Sequence, residues 1–227
     1  MKMKRSEKLG MFTGLVVGVL LLLISVFMIF QTTCKVWGAE NPANATQQGI
    51  DVSSHQGKID WEQVKNSALA DYAIIRCGYG VNQTDKDDKY WDYNSSECER
   101  LGIPYGTYLY SGADTTAKAK SEAEHVVRLL QGKNLTYPIY YDMEADMLNQ
   151  LSSTQIGNIA KTFLNTMESY GYKNVAVYSN KYLFETKLTA SVFSDYPKWI
   201  AQHSNKCTYQ GSYHMWQYST QGVIPGI

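Results

Sequence analysis

The chain has 227 residues, 21 basic and 21 acidic, for a formal charge of zero. That length suits one domain with appendages. The balance leaves no basic footprint of the kind a nucleic-acid partner requires, so none is expected.

Residues 1–10 carry Lys2, Lys4, Arg5 and Lys8 against the single acid Glu7, and residues 11–30 contain no charged side chain. An apolar run of about 20 residues crosses a bilayer as a helix. The basic flank is expected to stay in the cytoplasm. The reading is a cytoplasmic segment 1–10, a transmembrane anchor 11–30, and everything after Phe30 outside the cell. A cleaved signal peptide competes with it: such apolar cores usually span about 7–15 residues, and Val36-Trp37-Gly38 offers a cleavage point. The protein is then secreted rather than held at the membrane. Residues 31–48 are polar, rich in Asn, Gln, Ala and Thr, and read as a tether. Five of the 21 basic and two of the 21 acidic residues precede residue 49, so 49–227 holds 16 basic and 19 acidic residues, a formal −3.

From Gly49 the pattern alternates. Gly49 to Ser53 reads as a short strand, and Asp60 caps a helix that starts at Trp61. Tyr72 to Cys77 is an apolar strand that Gly78-Tyr79-Gly80 turns. Tyr90 to Leu101 has a helical pattern closed by Gly102, and Ile103 to Tyr110 is the next strand. Thr115 to Leu130 is helical, with Gly132 as its stop. A strand runs into Asp142 and Glu144. Ser152 or Ser153 then caps a helix to Tyr170, stopped by Gly171. Val175 to Tyr178 is a strand and Lys181 to Leu188 a short helix. Trp199 to Gln202 and His214 to Tyr218 read as strands with no clear helix between them. Strands alternating with helices imply parallel βαβ units. The 179 residues of 49–227 are few for a full eightfold barrel, typically about 250. The expected fold is an α/β, reduced TIM-like β/α barrel whose last strands lack helices.

Cys77, Cys98 and Cys207 lie in this domain, with no Cys-x-x-Cys or Cys/His metal spacing. Buried inert thiols are the expectation, with a Cys77–Cys98 bridge as the alternative. His55, His125, His203 and His214 are scattered and read as non-ligands, so no metal and no cofactor is expected.

The stretch Tyr137 to Asp146 carries the chemistry. Pro138 can begin a strand but not occupy its middle. Alternation along that strand points Asp142 and Glu144 the same way, about 6.6 Å apart. Close carboxylates resist joint ionisation, so one holds its proton to higher pH. A neutral acid beside an ionised one is the equipment for cleaving a sugar–sugar bond. A solvated acidic turn, or part of a hard-metal site, would use the same residues. Asp51, at the end of the first strand, falls on the same barrel face.

Gly49-Ile50-Asp51-Val52-Ser53-Ser54-His55-Gln56-Gly57, followed by Ile59-Asp60-Trp61, resembles the opening of the glycoside hydrolase family 25 lysozymes. Ile74 to Gly80 and Gly102 to Ser111 resemble that family's second and third strands. Asp142-Met143-Glu144 matches its Asp-x-Glu motif, and Trp199-Ile200-Ala201 and Trp216-Gln217-Tyr218-Ser219 its late strands. The resemblance implies an N-acetylmuramidase cutting the β-1,4 bond from N-acetylmuramic acid to N-acetylglucosamine in peptidoglycan, on a modified barrel. It makes Glu144 the general acid. Asp142 stabilises positive charge or orients the substrate's N-acetyl group, and Asp51 lines the same site. Tyr79, Tyr108, Tyr110, Trp199, Gln202, Trp216, Gln217 and Tyr218 shape the sugar groove, although Trp199 and Trp216 also suit a core.

Members of that family generally continue into a last strand bearing another active-site Asp, whereas this sequence stops at Ile227. The expectation is a barrel without its closing strand. The expected partners are peptidoglycan and, through residues 11–30, the membrane, with a monomeric protein. A catalytically weak wall-binding module on the same barrel is the alternative. A metal-dependent deacetylase is a further one, against which the lack of paired histidines argues.

Overall fold

The computed structural model describes residues 45–227. The predicted cytoplasmic segment, the apolar run 11–30 and most of the tether lie outside the described residues. Among those described, no helix is long and apolar enough to cross a membrane.

Seven strands pair in the order in which the chain makes them, every pair parallel. They are β1 (Gly49–Val52), β2 (Tyr72–Tyr79), β3 (Tyr105–Tyr110), β4 (Ile139–Asp142), β5 (Val175–Asn180), β6 (Lys198–Ala201) and β7 (Met215–Gln217). Helices α1 (Trp61–Ser67), α2 (Trp91–Leu101), α3 (Thr116–Leu129) and α4 (Ser153–Ser169) make the first four crossovers. The short α5 (Lys181–Thr186) and α6 (Val192–Asp195) make the fifth, and no helix separates β6 from β7. The result is a curled parallel sheet, a part-barrel of the expected α/β kind.

Local chemistry accounts for these helices. Asp60 accepts the Gln63 amide at 3.0 Å, and Ser152 forms a capping box with Gln155 at the start of α4. Each such cap is worth about 1 kcal/mol. Along α4, Ile156, Ile159, Ala160, Phe163, Leu164 and Met167 are all buried, a stripe at helical spacing that faces the sheet. Phe163 stacks on Tyr141 of β4 with ring centroids 3.8 Å apart.

Alternation along the strands divides the core in two. Val52, Ile75, Leu109, Ile139, Tyr141, Val175, Val177 and Ile200 face the helices. Ile74, Tyr140, Ala176, Tyr178, Trp199 and Ala201 face the inside of the curl. Because every strand runs the same way, all C-terminal strand ends lie at one pole, where Asp51 and Asp142 emerge.

Several boundaries differ from the sequence reading. β2 continues through the expected turn to Tyr79. Its register slips between Arg76 and Gly78, leaving Cys77 as an extra residue. Gly78 is required there, because a Cβ would come within 2.8 Å of the His125 ring and the Lys86 carbonyl. β4 stops at Asp142, so Glu144 is not a strand residue. Gln47 and Gln48, assigned by composition to the tether, are bonded into the domain. The Gln47 side chain accepts from Tyr137 Oη at 2.6 Å, and the Gln48 amide donates to Asp71 at 2.8 Å. Cys77 and Cys98 are both buried free thiols rather than a bridge. Burial pushes Cys77 up to about 12 and raises Cys98 as well, which leaves both inert.

No backbone ladder joins β7 to β1 among the described residues. Side chains bridge the gap instead. Gln217 Nε2 donates to Asp51 Oδ2 at 3.0 Å and Gln48 Nε2 donates to Tyr218 Oη at 2.8 Å.

Candidate active site

β4 is buried over its whole length and delivers Asp142 to the pole as its last residue. Tyr110 of β3 and Tyr178 of β5 flank it in register. The chain then leaves the sheet under two anchors. The Met143 amide donates to Tyr178 O at 2.9 Å, and Ser179 Oγ donates to Met143 O at 2.6 Å. This turn carries Glu144 to the same cleft as Asp142, so the two acids converge by a fixed turn rather than by strand alternation. The cleft encloses about 370 Å³ and is lined by His55, Arg76, Tyr79, Tyr108, Tyr110, Asp142 and Glu144.

Asp142 is only 3% exposed, and its Oδ1 has no hydrogen-bond partner among the described residues. A buried carboxyl without partners is costly in its charged form. Burial accordingly pushes Asp142 well above the usual carboxylate range; Glu144 and Asp51 add to the push, and Arg76 opposes it. Glu144 is half-buried and is also raised, first by burial and further by Asp51, with His203 pulling it down. Asp51 is raised by burial against its hydrogen bond from Gln217 and the influence of His203. The sequence reading traced one raised acid to the charge of its neighbour. The structure puts burial first for both, because the cleft withdraws each acid from water, with Glu144 and Asp51 adding to Asp142 and Asp51 adding to Glu144.

Another part of the cleft wall is built on Arg76. Its Nε donates to the buried Asp88 at 2.8 Å and its Nη2 to Ser54 Oγ at 2.8 Å. Asp88 also accepts the backbone amides of Ser54 and Tyr90, each at 2.9 Å. One carboxylate therefore joins the loop after β1 to β2 and to the start of α2. The extra residue at Cys77 resets the alternation, so Arg76 and Tyr79 both face the cleft although they are three apart. Such re-aiming is the usual effect of a bulge. Tyr79 is 43% exposed at the mouth and offers an open aromatic face. Burial, with the field of the acids, raises the phenols of Tyr108, Tyr110 and Tyr178, so they remain neutral hydrogen-bonding groups.

Gln217 connects the far side. Its Oε1 accepts from Tyr178 Oη at 2.9 Å and from His203 Nε2 at 3.0 Å, while its Nε2 donates to Asp51.

Of the residues expected from sequence, Asp142, Glu144, Tyr79, Tyr108 and Tyr110 line the cleft, with Asp51 and Gln217 adjoining it. Four others are used elsewhere. Trp199 is 4% exposed inside the curl, edge-on to Tyr108, Tyr140 and Tyr178. The Gln202 side chain clamps Thr208 in the β6–β7 loop. Trp216, one residue out of phase with Gln217, donates Nε1 to the Gln202 carbonyl at 2.9 Å. Tyr218 packs on Trp216 and accepts from Gln48. Sequence reasoning missed Arg76, His55, Tyr178 and His203 as site residues. For Arg76 and Tyr178 the signal was inward parity, since Arg76 follows Ile74 and Tyr178 follows Ala176 at steps of two; His55 and His203 lie outside the strands, where no such pattern marks them. Among the described residues, no three His, Cys, Asp or Glu side chains are arranged to hold a metal ion.

Residues 50–227 match the family model described as glycosyl hydrolases family 25. The autolytic lysozyme of Clostridium acetobutylicum is 29% identical over 181 residues, which cover 79% of this chain and 52% of that one. Among solved structures, the modular autolysin LytC of Streptococcus pneumoniae superposes with a TM-score of 0.72 at 33% identity, over 79% of this chain and 44% of its own. A family 25 glycosyl hydrolase from Bacillus anthracis shares the fold, with a TM-score of 0.72 at 20% identity over 83% of this chain and 86% of that one. The chain thus spans about half the length of the autolytic lysozyme and of LytC.

Proposed function

The chain belongs to glycosyl hydrolase family 25, and from that premise we propose that it is a muramidase. It hydrolyses the β-1,4 bond between N-acetylmuramic acid and N-acetylglucosamine in peptidoglycan. The carrying observation is the pair Asp142 and Glu144: two carboxyls without side-chain partners among the described residues, withdrawn from water, in one aromatic-walled cleft. The autolytic lysozyme supports the substrate class, as does LytC, whose structure has been solved with a synthetic peptidoglycan ligand.

Glu144 is the general acid. It is the more accessible of the pair, and burial keeps it protonated to higher pH than a solvated Glu. It donates that proton to the oxygen leaving between the two sugars. Asp142 sits deeper, with an Oδ1 unpartnered among the described residues, which suits it to engage the substrate's N-acetyl amide. Asp51 adds negative potential and is held in place by Gln217. Tyr79, Tyr108 and Tyr110 supply faces and hydroxyls to sugar rings.

Wall hydrolysis implies that the domain lies outside the cytoplasm. Residues 11–30 then act as membrane anchor or export signal, with residues 31–46 as tether and a monomeric catalytic domain beyond. Loss of turbidity from purified cell walls, with release of new reducing ends, tests the activity. Glu144→Gln is the control, because the amide cannot donate the proton. General-acid catalysis is worth about 10²–10⁴ in rate, so a folded Glu144→Gln protein keeping over a tenth of the activity rules out the assigned role.

A further inference from the structure

We propose that His203 is a positioning residue of this site: it helps to hold the Gln217 amide in the orientation that serves Asp51 and sets its imidazole on the Asp51 side of the cleft. The inference rests on the muramidase reading above and deepens it.

The geometry begins at Gln217. An amide has a donating and an accepting end, and here each end has a fixed partner. Oε1 faces two groups, Tyr178 Oη at 2.9 Å and His203 Nε2 at 3.0 Å. A carbonyl oxygen only accepts, so His203 presents Nε2–H to it. Nε2 of Gln217 is thereby turned to Asp51 Oδ2 at 3.0 Å. Rotating the amide by half a turn would set its oxygen against the Asp51 carboxylate and would require Tyr178 Oη and His203 Nε2 both to turn from donors into acceptors. A His203 ring with its N–H on Nε2 opposes that state. Tyr178 is buried on β5, whereas His203 is exposed on the β6–β7 loop.

The surrounding charges leave His203 a distinct part. Asp51 comes from β1, Tyr72 and Arg76 from β2, Tyr108 from β3, Asp142 and Glu144 from the end of β4, and Tyr178 from β5; His55 lines the cleft after β1. Arg76 acts on Asp142 and is itself paired with Asp88. Positive charge on the His203 ring draws down Asp51 and Glu144. Arg76 and His203 therefore act on different acids.

The test uses His203→Gln, which keeps an N–H donor but never carries charge, and His203→Leu, which keeps neither. Carboxyl ¹³C titration of Asp51 and Glu144 is followed beside the pH–rate profile of wall hydrolysis. With the cation removed, Glu144 holds its proton to higher pH. Both variants should then move the Glu144 titration and the alkaline limb upward by about half a pH unit. His203→Gln should keep its optimal rate within about threefold, whereas His203→Leu should lose about three- to tenfold through the loosened Gln217–Asp51 contact. Unchanged Asp51 and Glu144 titrations in both variants overturn the proposal. Equal losses in both without a titration shift also overturn it, since they mark a merely structural residue. If the wild-type protein fails to hydrolyse walls, the muramidase reading falls, and the carboxyl titrations still decide the placement of His203 beside the two acids.

Discussion

Gln217 and Asp51, 166 positions apart in sequence, meet through a 3.0 Å hydrogen bond that spans the gap between the first and last strands. The bond does two things at once. It ties β7 to β1 where no ladder does, and it gives an acid of the site a fixed partner. Gln217→Leu keeps the volume but leaves Asp51 Oδ2 and Tyr178 Oη unpaired. Each unpaired buried group costs about 1–3 kcal/mol. The variant should melt several degrees lower and hydrolyse walls at least about tenfold more slowly. A melting temperature and rate equal to wild type would show that the bridge carries neither role.

Asp142→Asn should lose activity and gain stability at neutral pH. The sign follows from the raised acid. Burial, Glu144 and Asp51 lift Asp142 well above its unfolded value. Between those two values the folded state binds more protons than the unfolded state, so stability falls as pH rises through that window. Below the ordinary carboxylate range the acid is protonated in both states and the penalty vanishes. Melting curves from pH 3 to pH 8 should therefore converge at the acid end and diverge above it, with Asp142→Asn the more stable. A variant less stable than wild type at pH 7 contradicts the direction.

Asp88→Ala should be the most disruptive single change in the wall of the cleft. The substitution strands the Arg76 guanidinium, 15% exposed, and the backbone amides of Ser54 and Tyr90. Removing one partner of a buried ion pair costs about 3–5 kcal/mol. Urea denaturation should report a loss of that order, and Asp88→Asn should recover part of it by keeping an acceptor. A loss under about 1 kcal/mol for Asp88→Ala would mean that Arg76 finds another partner.

The proposed location outside the membrane has its own check. Protease added to intact cells stripped of any outer barrier should digest the domain and spare a peptide containing residues 1–30. Protection until lysis would place the domain in the cytoplasm, away from peptidoglycan.

Much of the architecture was legible in order along the chain. The helix starts at Asp60 and Ser152, the stop at Gly102, the strand leading to Asp142 and the absence of a helix between Trp199 and His214 are local matters. Capping, backbone freedom and residue periodicity act over a few residues, so sequence by itself determines them. The same locality made Asp142 and Glu144 visible as a pair. Tertiary structure decided the rest. Strand alternation alone turns Tyr79 away from Arg76; the extra residue at Cys77 brings it back, and only pairing with β3 reveals that slip. Trp199 reads as a sugar platform, yet the curl of the sheet closes over it. The contact of Gln217 with Asp51, and through it the place of His203, depends on how far seven strands coil before the ends meet. The elevation of all three acids has the same origin, because burial is a property of the assembled cleft and no local pattern carries it.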